Sequence, residues 1–176
     1  MKKMIVLFAI TLMVGLAQAA FVNWAIDYGK ADGAGKTYYV FDGSKSADVL
    51  SILGAVDGDS ASKLGDLAYA TGTLNTKAGK ASGNGLDVGS GTSLMMVVLD
   101  SDLSAGATYK YDTMDVSSML YTPPASAPGA FTASNAMFTQ AGTMVKAGGG
   151  GDVPEPTSAL LLLVGGAMLA LRRKQK

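Results

Sequence analysis

The chain contains no cysteine and no histidine. Without cysteine it has neither disulfides nor thiolate ligands for a metal. Without histidine it lacks the base of a serine–histidine–acid triad, imidazole-bound zinc and the usual proton shuttle near neutral pH. We therefore expect a protein that is not an enzyme, with no catalytic, cofactor-binding or metal-binding residues and no cofactor.

Charged residues are also scarce, at 16% of the chain, and the net charge is zero. The charges are unevenly distributed, because two lysines lie at the N-terminus and four basic residues lie after residue 171. The part between them has eight Lys and Arg against fourteen Asp and Glu, a net charge of −6. A nucleic-acid-binding domain needs a basic face, so we expect no nucleic-acid partner. Mild acidity is typical of a soluble extracellular protein.

Residues 1–19 have the pattern of a secretory signal peptide. Lys2 and Lys3 precede the apolar run Met4–Leu16, and small residues at Ala17 and Ala19 follow. This order predicts Sec-dependent export, with Ala17 and Ala19 fitting the pocket of signal peptidase. The alternative, a retained N-terminal anchor, is less favoured because the apolar run is short and small residues flank the expected cleavage site.

The C-terminal segment, residues 153–176, has three parts in a fixed order. Pro154, Glu155 and Pro156 come first, an apolar run from Ala159 to Leu171 follows, and the basic residues end the chain. Thirteen helical residues span roughly 20 Å, less than the ~30 Å hydrocarbon core, so a transmembrane helix over about 157–171 is a weak anchor. The basic tail, residues 172–176, is expected to stay in the cytoplasm and to determine topology through Arg172, Arg173 and Lys174.

This ordered set resembles the PEP-CTERM sorting signal of exported bacterial proteins, over about the last twenty-four residues only. The resemblance implies recognition of the Pro154-Glu155-Pro156 motif by an exosortase-type membrane transpeptidase. It also implies cleavage near the motif and transfer from the inner membrane to the cell surface or the extracellular matrix. The alternative is an ordinary single-pass tail anchor, in which the prolines only end a helix.

Residues 20–147 are expected to form one exported domain, joined by the Gly-rich spacer 148–152 to the sorting signal. Val22, Trp24 and Ile26 alternate with less apolar residues, as in a half-buried strand. Thr37–Phe41 is rich in aromatic and β-branched residues and predicts a second strand. The apolar run Leu94–Leu99 predicts a central strand covered on both faces and forming a hairpin with 107–112.

Two short helices are predicted, one beginning with Ser46 as N-cap and ending at Gly54, the other over Ser60–Ala70. Thr71–Thr92 is rich in Gly, Ser, Thr and Lys and is interpreted as a long mobile loop or an edge hairpin. Short strands are expected between Gly129 and Lys146. The predicted fold is mostly β, a small β-sandwich-like domain with one or two short helices, flanked by the signal peptide and the C-terminal transmembrane helix. The strand order does not follow from the sequence.

Three short motifs suggest ligand chemistry. Gly35-Lys36-Thr37 imitates the end of a phosphate-binding loop, but the first glycine of that pattern is missing and a strand follows, so a turn is favoured. Asp57-Gly58-Asp59 and Asp100-Ser101-Asp102 each place two carboxylates close together. Solvated turn carboxylates are favoured for both over calcium ligands, since further oxygen ligands are missing.

We therefore expect an exported, structural or adhesive surface or matrix protein. One alternative is a surface-displayed carbohydrate-binding module, and an extracellular polysaccharide is a candidate partner. Five aromatic residues have a spacing that fits ring stacking on sugars, although a place in the core is favoured: Trp24, Tyr38, Tyr39, Tyr109 and Tyr111. The second alternative is a small glycan-active hydrolase that uses Asp100 or Asp102.

Overall fold

The computed structural model describes residues 19–89, 91–123 and 129–148. The described part of the chain is mostly β, with two sheets and few helices. Its strands are β1 (Ala20–Asp27), β2 (Thr37–Asp42), β3 (Ala68–Thr73), β4 (Lys80–Gly89), β5 (Ser93–Leu99), β6 (Thr108–Asp115), β7 (Phe131–Ser134) and β8 (Gln140–Thr143). Its α-helices are α1 (Lys30–Gly33), α2 (Ser46–Leu53) and α3 (Ser60–Leu67), and single 3₁₀ turns occupy Gly43–Lys45, Ser117–Met119 and Asn135–Met137.

The smaller sheet has three strands in the order β4-β1-β7, and the larger sheet has five in the order β3-β2-β5-β6-β8. In the smaller sheet β1 pairs antiparallel with β4 and parallel with β7. All pairs of the larger sheet are antiparallel. Strands β2, β5 and β6 form its centre, so its two edges are β3 and β8.

The two sheets share one hydrophobic core. Val22, Trp24 and Ile26 of β1 point into it from the smaller sheet and are almost fully buried. From the larger sheet, β2 and β5 contribute alternate residues such as Val40 and Met96. Burying these side chains accounts for the period-two pattern of β1, because successive residues of a strand point to opposite faces.

A second core lies on the other face of the larger sheet, under α2 and α3. Val49 and Leu53 of α2 and Leu64 of α3 pack there against Phe41 and Met95 of the sheet. Strand β5 therefore has a core on each side, and its six residues from Leu94 to Leu99 are all buried. The prediction of a central strand covered on both faces is confirmed.

Several further expectations are confirmed. The strand at Thr37–Phe41 is β2, and Ala107–Asp112 falls largely in β6, which pairs with β5 as the predicted hairpin. A helix ends before Gly54, and strands occur between Gly129 and Lys146. In the part of the chain that the structure describes, no helix is long and apolar enough to cross a membrane. Residues 1–18 of the predicted signal peptide and the whole predicted C-terminal helix lie outside that part.

Three predictions about local structure were wrong. The segment Thr71–Thr92 is neither a mobile loop nor a hairpin, because its strands β3 and β4 belong to different sheets and Leu74 between them is fully buried. The second helix ends at Leu67, since the chain then enters β3. Ser46 is the first residue of α2 and not its N-cap, and no side chain caps that helix.

Candidate functional site

Of the residues expected to carry sorting information, Ala19 is described, as an exposed residue just before β1. The others lie outside the described part of the chain: Ala17, Pro154, Glu155, Pro156, Arg172, Arg173 and Lys174. The structure therefore bears on the domain between them, and its surface contains two sites with polar side chains in ordered positions.

The first site is a row of polar side chains across three strands of the larger sheet. Asp100 follows β5 directly, and its two carboxylate oxygens accept hydrogen bonds from Lys36 Nζ and Thr108 Oγ1. The β2–β5 and β5–β6 registers place these three residues side by side, one on each strand or just beyond its end. A shallow cavity of about 310 Å³ lies beside Asp100 and Thr108 and extends to β8.

Tyr28 covers this row from the end of the smaller sheet. Its ring packs against that of Phe138 in a T-shaped arrangement, with 5.2 Å between the centroids. The ammonium groups of Lys36 and Lys110 lie 5.6 and 5.9 Å from the centroid of the Tyr28 ring. Its hydroxyl is buried and has no hydrogen-bond partner among the described residues. Burial, reinforced by the negative charges of Asp100 and Asp32, raises the pKa of Tyr28 to about 12. The phenol therefore stays neutral at physiological pH and acts as a packing group between the cations.

The same contacts decide what Asp100 can do chemically. Burial opposes its ionisation, but the hydrogen bonds from Lys36 and Thr108 and the nearby lysine charges outweigh that effect and lower its pKa. A general acid in glycoside hydrolysis needs a raised pKa. Asp100 is thus a poor candidate for the acid of the hydrolase alternative, and it has the geometry of a residue that ties three strands together.

The other acidic turn is also accounted for by local hydrogen bonds. Asp57 accepts hydrogen bonds from Asp59 N and Ser60 Oγ through one oxygen and from Lys63 Nζ, at 2.7 Å, through the other. In return, Ser60 Oγ accepts the main-chain N–H of Asp57. These hydrogen bonds hold the turn that leads into α3 and tie it to the first turns of that helix. Among residues 19–89, 91–123 and 129–148 no group of three acidic side chains is placed to hold a metal ion.

The aromatic residues considered for sugar stacking are mostly core residues. Trp24, Tyr38, Tyr39 and Tyr109 are each at most 9% exposed, and only Tyr111 is partly exposed. Trp24 packs against Tyr38 between the sheets, whereas Tyr39 stacks on Phe41 under the helices. The preferred interpretation as core residues is confirmed for these four, and a sugar-binding face would have to use other side chains.

The second site is the outer face of the smaller sheet. Ala25 of β1 lies there between Ser82 of β4 and Thr132 of β7, its partners in the two registers. Next along the strands, Asp27 of β1 forms an ion pair with Lys80 of β4, with 2.7 Å between Asp27 Oδ2 and Lys80 Nζ. A cleft of about 640 Å³ opens over these residues and is bounded on one side by the turn that contains Asn75 and Lys77. Sequence analysis missed this site because Thr71–Thr92 was interpreted as a mobile loop or an edge hairpin, and neither interpretation places β4 beside β1.

The turn that bounds the cleft is held by its own hydrogen bonds. Asn75 N donates to Lys80 O, Gly79 N donates to Asn75 O, and Lys77 N donates to the Asn75 side chain. Gly79 has φ +66° and approaches the main chain of Gly29 so closely that a Cβ would lie 2.1 Å from the Gly29 carbonyl oxygen. Only glycine fits that position. The cleft therefore has a preformed wall.

Comparison with known protein families, with curated proteins and with solved structures finds no significant match to this chain.

Proposed function

We propose that this chain is an exported bacterial surface or extracellular-matrix protein, made as a precursor and processed at both ends. Signal peptidase would remove residues 1–19 after Sec-dependent export, and an exosortase-type enzyme would act at the C-terminal sorting signal. The observation that carries the proposal is the ordered C-terminal segment, in which Pro154-Glu155-Pro156 precedes a short apolar run and a basic end.

Physical properties of this segment support the sorting role. Two prolines in three residues disfavour helix, so we expect the motif to be an extended segment outside the membrane. The apolar run is short for a stable anchor, which suits a temporary stop during processing. Glu155, the only glutamate in the chain, lies between the prolines and gives the motif a single negative charge. The basic tail fixes orientation by the positive-inside rule.

We propose a structural or adhesive role, without catalysis, for the exported domain, and we classify it as β-sandwich-like because its two sheets share a core. Among the described aspartates, every shifted pKa is lowered. The aspartates concerned are Asp42, Asp57, Asp100, Asp112 and Asp115. Carboxylates held in the ionised form serve as hydrogen-bond acceptors in turns more readily than as general acids. This supports a scaffold over a hydrolase.

The proposal is tested by intact-mass analysis of the protein from membrane, surface and medium fractions of its native cells. We expect a mature form that begins near Ala20, ends near Pro154–Pro156 and lies outside the inner membrane. Glu155→Ala, or removal of residues 172–176, should leave unprocessed chain in the inner membrane. The matched control is Asp152→Ala, which removes an acidic residue just before the motif and should be processed normally.

Two results would contradict the proposal. One is a wild-type chain that keeps Arg172 to Lys176 and stays in the inner membrane, which would make it a tail-anchored protein. The other is normal release of the Glu155→Ala variant and of the variant without its basic tail, which would show that the segment is not read as a sorting signal.

A further inference from the structure

The outer face of the smaller sheet has no covering layer in the described part of the chain. The larger sheet has the smaller sheet on one face and α2 and α3 on the other. By contrast, Ser82, Thr132 and Ser134 on the outer face of the smaller sheet are exposed. An antiparallel sheet tolerates one solvated face, so exposure by itself requires no ligand. The shape and chemistry of this face carry the argument.

The face combines a nearly flat floor with hydrogen-bonding groups at its sides. The floor is formed by the small residue Ala25, and the hydroxyls of Ser82 and Thr132 flank it on the two sides. The Asp27–Lys80 ion pair supplies an acceptor and a donor beside them. At about 640 Å³, the cleft lies within the range of ligand-binding cavities. It suits a ligand with an apolar face and hydroxyl groups around its edge.

The charge of the cleft narrows the class of ligand. Asp27 and Lys80 largely neutralise each other, which leaves Lys77 in the turn as the additional charge. A polyanion such as nucleic acid would be repelled, because the exported part of the chain has a net charge of −6. A lipid or another apolar ligand would have to bury the ion pair and the two hydroxyls without hydrogen-bond partners, which is costly. A neutral or weakly acidic carbohydrate avoids both costs.

An aromatic pair at the other end of the same face indicates an extended ligand. Phe21 lies four residues before Ala25 on β1, roughly 13 Å away at the rise of a strand. Its ring contacts Tyr121, with 6.0 Å between the centroids, and the two residues form a β-bridge. Both are partly exposed. Aromatic rings of this kind stack on the apolar faces of sugars while the tyrosine hydroxyl reaches solvent.

We propose that the outer face of the smaller sheet binds a polysaccharide strand, which runs from the Asp27–Lys80 cleft to the Phe21–Tyr121 pair. The sugars pack on Ala25 and on the aromatic rings, and their hydroxyls bond to Ser82, Thr132 and the ion pair. This gives the adhesive role a ligand. This inference rests on the proposed function only because export brings the domain into contact with polysaccharide. Binding is measured with purified protein and processing is measured in cells, so the two proposals can fail separately.

The test is retention of the purified full chain by insoluble cellulose, insoluble chitin, immobilised xylan and immobilised alginate. We expect retention by at least one of them. Ser82→Arg and Thr132→Arg place long side chains over the floor at exposed positions, and Tyr121→Ala removes the ring at the far end. Each should weaken retention about tenfold or more, as at a binding hot spot. A thermal melt of each variant verifies that it is folded.

The matched control is Ser51→Arg, since Ser51 is an exposed serine of α2 on the opposite side of the larger sheet. It adds the same charge and length and should leave retention unchanged.

The Lys77→Gln variant distinguishes two kinds of polysaccharide. If alginate retains the wild type but not this variant, the ligand is an acidic polysaccharide. If the neutral polymers retain both proteins, the ligand is a neutral one. Retention of wild type by none of the four polymers would overturn the proposal. Equal retention of wild type and of folded Ser82→Arg, Thr132→Arg and Tyr121→Ala would also overturn it.

Discussion

Asp100 is the residue at which three strands of the larger sheet are joined by side chains. It bonds to Lys36 at the start of β2 and to Thr108 at the start of β6. Both side chains of the Lys36–Asp100 pair are partly exposed, at 24% and 31%. Water and salt therefore screen the pair, and its contribution to stability is of the order of a favourable surface interaction, about 1 kcal/mol.

Asp100→Asn is expected to lower the free energy of unfolding by about 1 kcal/mol at pH 7, because the amide cannot accept two charge-assisted hydrogen bonds as the carboxylate does. The folded-state pKa of Asp100 lies below its ordinary value of 3.8. The stabilisation is therefore present above that ordinary value and is lost as the pH falls through the folded-state pKa. Urea unfolding of both proteins at pH 7 and pH 3 measures the difference, which should shrink at pH 3.

Asp102→Asn is the control for this prediction. Asp102 is an exposed residue of the same turn, and its main-chain carbonyl accepts the hydrogen bond from Ser104. The change should leave stability almost unaltered at either pH. If Asp100→Asn and Asp102→Asn had the same effect, or if the effect of Asp100→Asn grew toward low pH, Asp100 would not be stabilising the fold as an ionised partner of Lys36.

At the scale of elements, three edge strands contain a glycine that lies under an aromatic ring of the neighbouring strand. The cross-strand pairs are Gly83 with Trp24, Gly72 with Tyr38 and Gly142 with Tyr109. A Cβ on Gly83 would lie 2.6 Å from Trp24 Nε1, and one on Gly142 would lie 2.4 Å from the Tyr109 ring. The rings thus fill the space that a side chain on the edge strand would occupy. Aromatic residues are known to compensate glycine at sheet edges in this way.

Gly83→Ala is expected to destabilise the protein by about 1–3 kcal/mol, because the new methyl group displaces the buried Trp24 ring. The measurement is the midpoint of urea unfolding, together with tryptophan fluorescence, which reports on the only tryptophan of the chain. A shift of the native emission spectrum should accompany the loss of stability. Unchanged stability and emission would show that the ring does not lie on Gly83.

Gly65→Ala is the matched control, since a Cβ on Gly65 of α3 would meet nothing within 4 Å. Its backbone is helical, so the substitution should stabilise the protein by roughly 0.5–1 kcal/mol. The two glycine-to-alanine changes are thus expected to have opposite signs. Destabilisation by both would indicate a general intolerance of alanine and not the packing of Trp24.

At the scale of the whole molecule, β5 joins the two cores. Met95 and Met96 are adjacent in sequence and fully buried, but Met96 points toward the smaller sheet and Met95 toward the helices. Met95→Ala and Met96→Ala should each cost about 2–5 kcal/mol, with the larger cost at the site less able to collapse around the lost side chain. The same unfolding transition should shift in both variants, because one strand carries both cores.

Urea unfolding followed by tryptophan fluorescence and by far-ultraviolet circular dichroism tests this expectation. Trp24 reports on the core between the sheets, and circular dichroism includes the helices of the other core. Coincident transitions in both variants would support a single cooperative unit. If the fluorescence transition shifted in Met96→Ala but not in Met95→Ala, the two cores would unfold separately. A conservative control is Met95→Leu, which keeps the volume and should cost little.

Much of this molecule could be predicted because its strongest patterns are local. The alternation of Val22, Trp24 and Ile26 determined which face of β1 is buried, and the unbroken apolar run from Leu94 to Leu99 determined a strand with two covered faces. The order of parts in residues 153–176 is likewise a property of sequence alone and is the basis of the proposed sorting. These inferences depend only on which residues are neighbours along the chain. The composition of a segment and the period of its apolar residues are properties of such neighbours and can be read from the sequence.

Only the tertiary structure decided the rest. Glycine-rich β4 is a strand because β1 offers it hydrogen-bond partners and Trp24 covers Gly83, neither of which is visible from within the segment Thr71–Thr92. For the same reason α3 ends at Leu67, where pairing of β3 with β2 begins to win over helix propensity. The cleft over Ala25 likewise exists only once β4 and β7 lie on either side of β1. Contacts between residues far apart in sequence set each of these features, and no local pattern encodes such contacts.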